Sequence, residues 1–202
     1  MRKLSRRYKE NLKIIQKPIY SDIEEAILTL KQTANTKFNE SFELHANLNI
    51  NPKYADQQLR TTVSLPHGIG KEISIAGLTN EENFEEAKLA KANIVGNDDL
   101  ILQISQGKID FDLLVVTPNI MPKLAKLGRI LGPKGLMPSP KSGTVTSNLK
   151  ETLADFKKGK FEYKADKAGI VNVTFGKSNF ETQQLVENLI SLYNSIEQKR
   201  PP

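Results

Sequence analysis

The segment GRILGPKGLMPSPKSGTV, Gly128 to Val145, holds four glycines, three prolines and three cations in eighteen residues, and no acid. The acid-free run is wider than the segment. Between Leu113 and Lys150 there is no Asp or Glu, while Lys123, Lys126, Arg129, Lys134, Lys141 and Lys150 supply six positive charges. Glycine lets a backbone approach its partner closely, and proline removes chain entropy in advance, so a phosphate backbone would meet a preshaped positive surface here. If all six cations met phosphate, affinity would fall with a log–log salt slope of about −5. The same composition suits a long connection over a sheet edge with lysines for solubility, and residue chemistry alone leaves both readings open.

A second candidate is Lys37-Phe38, a cation beside an aromatic just before an alternating run. Such a pair can stack on a ribose or base while binding phosphate, although a lone Phe after a helix reads first as a core anchor. Ser41, Glu43 and His45 continue the polar side of that run, and Lys164, Lys167, Asn172 and Lys177 join it if the later extended segments pair with it. Singly, each is a solvated polar position; together they propose one surface.

Other chemistry finds little support. A Walker A loop fails at Gly176-Lys177-Ser178, because Val171 stands where the first glycine is required. IAGLTNEENF has a single glycine, which disfavours a dinucleotide pocket. Cysteine is absent, which excludes disulfides, thiolate metal sites and thiol nucleophiles, and only His45 and His67 supply imidazole. The acidic pairs Glu81-Glu82, Glu85-Glu86 and Asp98-Asp99 fall at expected helix starts, where they complement the dipole. No enzyme, metal or cofactor is expected. Net charge is +6, compatible with a polyanionic partner and with plain solubility. No apolar run is long enough to span a bilayer, so no membrane partner is expected. The basic start MRKLSRRYKENLKII passes directly into helical spacing and reads as a folded or RNA-touching arm rather than a transit peptide.

These residues need elements to position them. Ser21-Asp22-Ile23-Glu24 reads as a capping box opening a helix to about Thr33, with Ile23, Ala26, Ile27 and Leu30 inward. SFELHANLNI alternates strictly, as a strand with one wet face does, and TTVSLP is a second extended run. From Glu72 the pattern becomes βα: a strand to Leu78, helices over Glu82 to Ala92 and Asp98 to Ser105, then the continuously apolar FDLLVVTP, whose two faces both need helical cover. A helix over Ile120 to Leu127 precedes the glycine- and proline-rich segment, and NLKETLADFKKG follows it as another. Alternation returns in KFEYKAD and GIVNVTFG before a last helix with Phe180, Leu185, Leu189, Leu192 and Ile196 inward. The fold class is therefore α/β: an α+β domain split between the chain ends, residues 1–67 and 159–202, with a Rossmann-like three-layer α/β domain inserted as residues 68–158 through a double hinge.

LGRILGPKGLMPSPKSGTV, from Leu127 to Val145, resembles the signature of the ribosomal protein L-one family, the mobile-stalk protein of the large subunit, of bacterial or plastid type. The entry Thr36 to Ser41, DQQLRTTVSLPHGIGK from Asp56, FDLLVVTP from Phe111 and GKSNF from Gly176 extend the likeness over nearly the whole chain. The resemblance implies the same split-and-inserted layout. It implies binding to stalk rRNA of the large subunit beside other large-subunit proteins, help in releasing E-site tRNA and, as an alternative, repression of the protein's own mRNA through the same surface. It carries RNA binding onto Lys37, Phe38, Ser41, Glu43, Lys164, Lys167 and Asn172, with Arg129, Lys134 and Lys141 as a secondary RNA contact. Asn172 stands where many relatives have His, and still donates and accepts hydrogen bonds. The family pattern runs on into a further strand with a Thr-Met-Gly element, so a continuation past Pro202 is expected. YADQQLR and the Lys/Asn/Ile bias resemble plastid members first and cyanobacterial ones second, which implies a ribosome in the chloroplast stroma or, failing that, the bacterial cytoplasm.

Overall fold

The computed structural model describes residues 4–15, 17–79 and 92–201. Helix α1 (Arg6–Ile14) is capped by Ser5, and α2 (Ile23–Thr33) by Asp22, whose carboxylate accepts from Glu24 N at 3.1 Å. The cap is thus one residue later than the sequence pattern placed it. Only Ile27 of the expected stripe is buried, while Ala26 is half-buried and Ile23 and Leu30 stay exposed; α2 packs against α7 (Thr182–Lys199) and α1.

Strand β1 (Ser41–Asn47) pairs antiparallel with β7 (Ile170–Lys177), and β2 (Arg60–Ser64) with β6 (Lys160–Lys164). An isolated bridge between Ala165 and Val171 joins the two pairs. GIVNVTFG therefore pairs with SFELHAN as the surface proposal requires, whereas KFEYK does not: it lies on TTVS. Phe42, Val63, Tyr163, Val171, Phe175, Leu185, Leu192 and Ile196 share one core drawn from both ends of the chain. Of the stripe expected for the last helix, Leu185, Leu192 and Ile196 are buried together with Asn188, Leu189 packs half-buried against the same core, and Phe180 does so from ahead of the helix.

Between them lies a parallel sheet ordered β4-β3-β5, from β3 (Ile75–Leu78), β4 (Ile94–Gly96) and β5 (Leu113–Val116). Strand β4 has no counterpart in the sequence reading, since three residues show no period. Both faces of β5 are covered: Leu114 and Val116 meet α3 (Asp98–Ser105) and α4 (Met121–Ala125), while Val115 meets Leu149, Leu153 and Phe156 of α6 (Leu149–Lys157). The helix expected over Glu82 to Ala92 falls almost wholly outside the described residues. The Gly128 to Val145 segment is less open than a connection. It starts with a helical turn, α5 (Gly128–Leu131), buries Leu131, Pro138, Ser142 and Thr144, and ends with Val145 bridged to Val116.

Two connections lead into this sheet, and they lie against each other. Leu65 N donates to Gly159 O at 3.2 Å, and a Cβ on Gly159, whose φ is +110°, would stand 2.7 Å from Gly68 Cα. Only glycine fits there. The fully buried Asn188 fixes the first connection: its carbonyl accepts from His67 N at 3.1 Å and its amide donates to Gly68 O and Phe175 O, each at 2.9 Å. Asn188→Leu leaves three backbone groups without partners, and is expected to cost about 3 kcal/mol, read as a lower urea midpoint for the transition that unfolds this core.

Candidate nucleic-acid interface

Strand alternation over Phe42 and Leu44 turns Ser41, Glu43, His45 and Asn47 outward from β1. The antiparallel register sets Ser41 opposite Lys177, Glu43 opposite Thr174 and His45 opposite Asn172. A bulge after Phe42 keeps this ladder in phase while Phe175 stays inside. Lys177 Nζ donates to Ser41 Oγ at 2.7 Å. His45 Nδ1 lies 2.6 Å from Asn172 Oδ1; an amide oxygen only accepts, so Nδ1 carries the proton and donates. The ladder is thus an exposed row of cation, hydroxyls, carboxylate, imidazole and amide, which can meet both phosphate and base or sugar edges.

At the Asn172 end the chain turns through Asp166. Its carboxylate accepts from Ala168 N at 2.8 Å and Ile170 N at 3.0 Å, and those two backbone bonds hold it below the usual carboxylate range. Lys167 sits at the exposed tip of the turn. Lys164 ends β6 opposite Arg60, whose guanidinium is paired with Glu162, and it lines a shallow hollow of about 240 Å³ with Arg60 and Lys167. Its strand pairs with β2 rather than with β1, and the Ala165–Val171 bridge joins it to β7 beside Asn172.

The turn after α2 carries Lys37 and Phe38, held by a bond from Thr36 Oγ1 to Phe38 O at 2.9 Å. Phe38 is 70% exposed, so the core-anchor reading is overturned. The ring is too far forward of Phe42, the residue that enters the core. Its neighbour Glu40 bonds Ser178 in both directions, N to Oγ at 3.1 Å and O to the Ser178 amide at 2.9 Å, which ties this turn to the Lys177 end of the ladder.

Arg129, Lys134 and Lys141 are all exposed on the separate glycine- and proline-rich segment. Its Pro140–Ser142 turn is closed by Ser139, Ser142 and Thr144 hydroxyls, and comes within 8 Å (Cα–Cα) of β2. Lys123 is withdrawn from the acid-free set by its bond to Asp98 at 2.7 Å. Among the described residues Lys37, Lys164, Lys167, Arg129, Lys134 and Lys141 form no ion pair. The sequence reading left two partners unnamed, Arg7, paired with Glu40, and Arg60. Both lie outside any alternating or acid-free run, and no local spacing points to them.

Residues 30–202 match the Ribosomal protein L1p/L10e family. The chain belongs to this family. Over 201 residues, covering 100% of the chain, it is 73% identical to the large ribosomal subunit protein uL1c of Phaeodactylum tricornutum and 70% identical to that of Trieres chinensis, spanning 87% of each. It is 52% identical over 201 residues to the large ribosomal subunit protein uL1 of Prochlorococcus marinus, spanning 85% of it. Within the family frame the ladder, the Phe38 turn and the Gly128 to Val145 segment are its exposed polar features of interest.

Asp166 gives a measurable handle on the turn. Its depressed pKa means its contribution to stability is present above the unfolded carboxylate pKa and is lost as pH falls through the lower folded value. NMR titration is expected to show this carboxyl protonating below the ordinary aspartate range, and Asp166→Ala to remove exchange protection at the Ala168 and Ile170 amides.

Proposed function

We propose that the protein is a structural component of a large ribosomal subunit that binds rRNA and catalyses nothing. Family membership over residues 30–202 supports the ribosomal role, and the names of the two diatom relatives, with cyanobacterial uL1 next in likeness, support a plastid ribosome. One observation carries the RNA reading: Phe38 is a large aromatic held in water by a fixed turn, beside Lys37 and at the end of a polar ladder. An apolar ring kept exposed by its backbone is poorly explained by stability and well explained by stacking on a base or ribose.

In this reading residues 1–67 and 159–202 form the RNA-binding domain. Lys37, Phe38, Ser41, Glu43, Asn172 and Lys167 meet rRNA directly, and Lys164 with Arg60 supplies charge from the neighbouring sheet. Residues 68–158 form the inserted domain, which swings on the two adjoining connections and offers Arg129, Lys134 and Lys141 to a second RNA, rRNA or E-site tRNA. The hydroxyl-closed turn and the buried Leu131 and Pro138 keep that segment in one shape, so its cations arrive without an ordering cost.

The ranking of the two surfaces is testable by filter binding to a stalk rRNA fragment. Lys37→Ala with Phe38→Ala is expected to weaken binding about 100-fold, from one stacking contact and one phosphate contact, and Lys134→Ala by less than about 5-fold. Equal losses would assign the primary contact to the inserted segment instead.

A further inference from the structure

Helix α1 has no part in the interface described so far, yet two bonds place it there. The Arg7 guanidinium pairs with Glu40, and Asn11 Nδ2 donates to Thr33 O at 3.3 Å. Thr33 ends α2 and Glu40 precedes β1, so the helix is fastened to both ends of the short connection that carries Lys37 and Phe38. Residues along α1 are set about 100° apart around its axis. Arg6, Lys9 and Lys13 therefore share one face, with the half-exposed Tyr8 across the axis from Arg6 and the half-exposed Leu12 beside Lys9. All three cations are exposed, and among the described residues none is paired; Glu10 borders their face without bonding them, while Lys17, beyond the helix, is taken by Glu25 at 2.6 Å.

We infer that the Arg6/Lys9/Lys13 face of α1 is a phosphate-binding rail that runs beside the Phe38 turn and extends the RNA interface. The inference rests on the RNA reading above and adds a surface to it. Three points select RNA as the occupant. The face is positive with one carboxylate, so it complements a polyanion. Arg6 to Lys13 spans about 10 Å of axis, enough to follow successive phosphates of one strand. The bonds through Arg7 and Asn11 keep the rail in register with the exposed Phe38 ring, so a strand whose base meets Phe38 continues past these cations.

The test measures binding of the full chain to a stalk rRNA fragment across a salt series, for wild type and for R6Q/K9Q/K13Q. Glutamine is as good a helix former as the residues it replaces, and far-UV circular dichroism checks that α1 is retained. The triple variant is expected to flatten the log–log salt slope by about 2, which is a loss of about 100-fold at 0.1 M salt that closes towards 1 M. Leu12→Gln, an exposed substitution on the same helix that changes no charge, is expected to leave the slope unchanged. A slope unaltered by the triple variant, with normal wild-type binding, overturns the rail and leaves the Phe38 reading standing. Unaltered RNA binding together with lost incorporation into large subunits also overturns it, and gives the face to a neighbouring protein. Failure of the wild type itself to bind the fragment removes the RNA reading and the rail together.

Discussion

The structure depends on the pairing of strands far apart in the chain. Asn47 lies opposite Ile170 and Ser41 opposite Lys177, so more than half of the polypeptide is a loop between the two partners. Closing such a loop costs entropy that grows only slowly with its length, and the return comes from a core in which Phe42, Val63, Tyr163, Phe175, Leu185 and Leu192 are buried together. Asn188 is the polar element of that closure. Buried without exposure, it takes its three partners from the connection at His67 and Gly68 and from β7 at Phe175, which joins the pairing of the ends to the point where the chain departs for its middle.

The polar ladder follows from the same pairing. None of Ser41, Glu43, His45, Asn172 and Lys177 is unusual by itself. Antiparallel register makes them one row, and the bulge after Phe42 keeps the row facing outward as the core requires Phe42 and Phe175 to face in. The row holds both signs of charge, so it does not attract a polyanion as a simple positive patch would. Lys37, Lys167, Lys164 and the basic face of α1 surround it, which is the distribution expected when phosphates are steered to the edges and a defined shape is read in the centre. The Gly128 to Val145 segment differs in kind: it is uniformly positive and locked by its own hydroxyl bonds and buried apolar residues.

The alternation of SFELHAN and GIVNVTFG, the apolar run LLVV and the stripe of the final helix were legible because a period of two or of 3.6 maps directly onto burial. Strand β4 was not, since Ile94–Gly96 is too short to express a period. Phe38 was left between a core anchor and a stacking residue for a related reason. Composition cannot distinguish an aromatic that enters a core from one stopped four residues short of it; the turn held by Thr36 decides the matter. The partner of KFEYK was not legible, because alternation gives the faces of a strand but not its neighbour, and β6 pairs with β2. The fastening of α1 through Arg7 and Asn11 links residues 33 and 22 positions apart, beyond any local pattern.

The contact of the two connections at Gly68 and Gly159 bears on how the chain comes off its template. Residues 73 to 156 contain both cores of the parallel sheet, so those side chains are all present before β6 and β7 are synthesised. Strands β1 and β2, made first, meanwhile have no partner and present unpaired edges until residues 160 to 177 emerge. The oldest part of the nascent polypeptide is thus the last to be completed, and it is the part that most needs shielding from premature association.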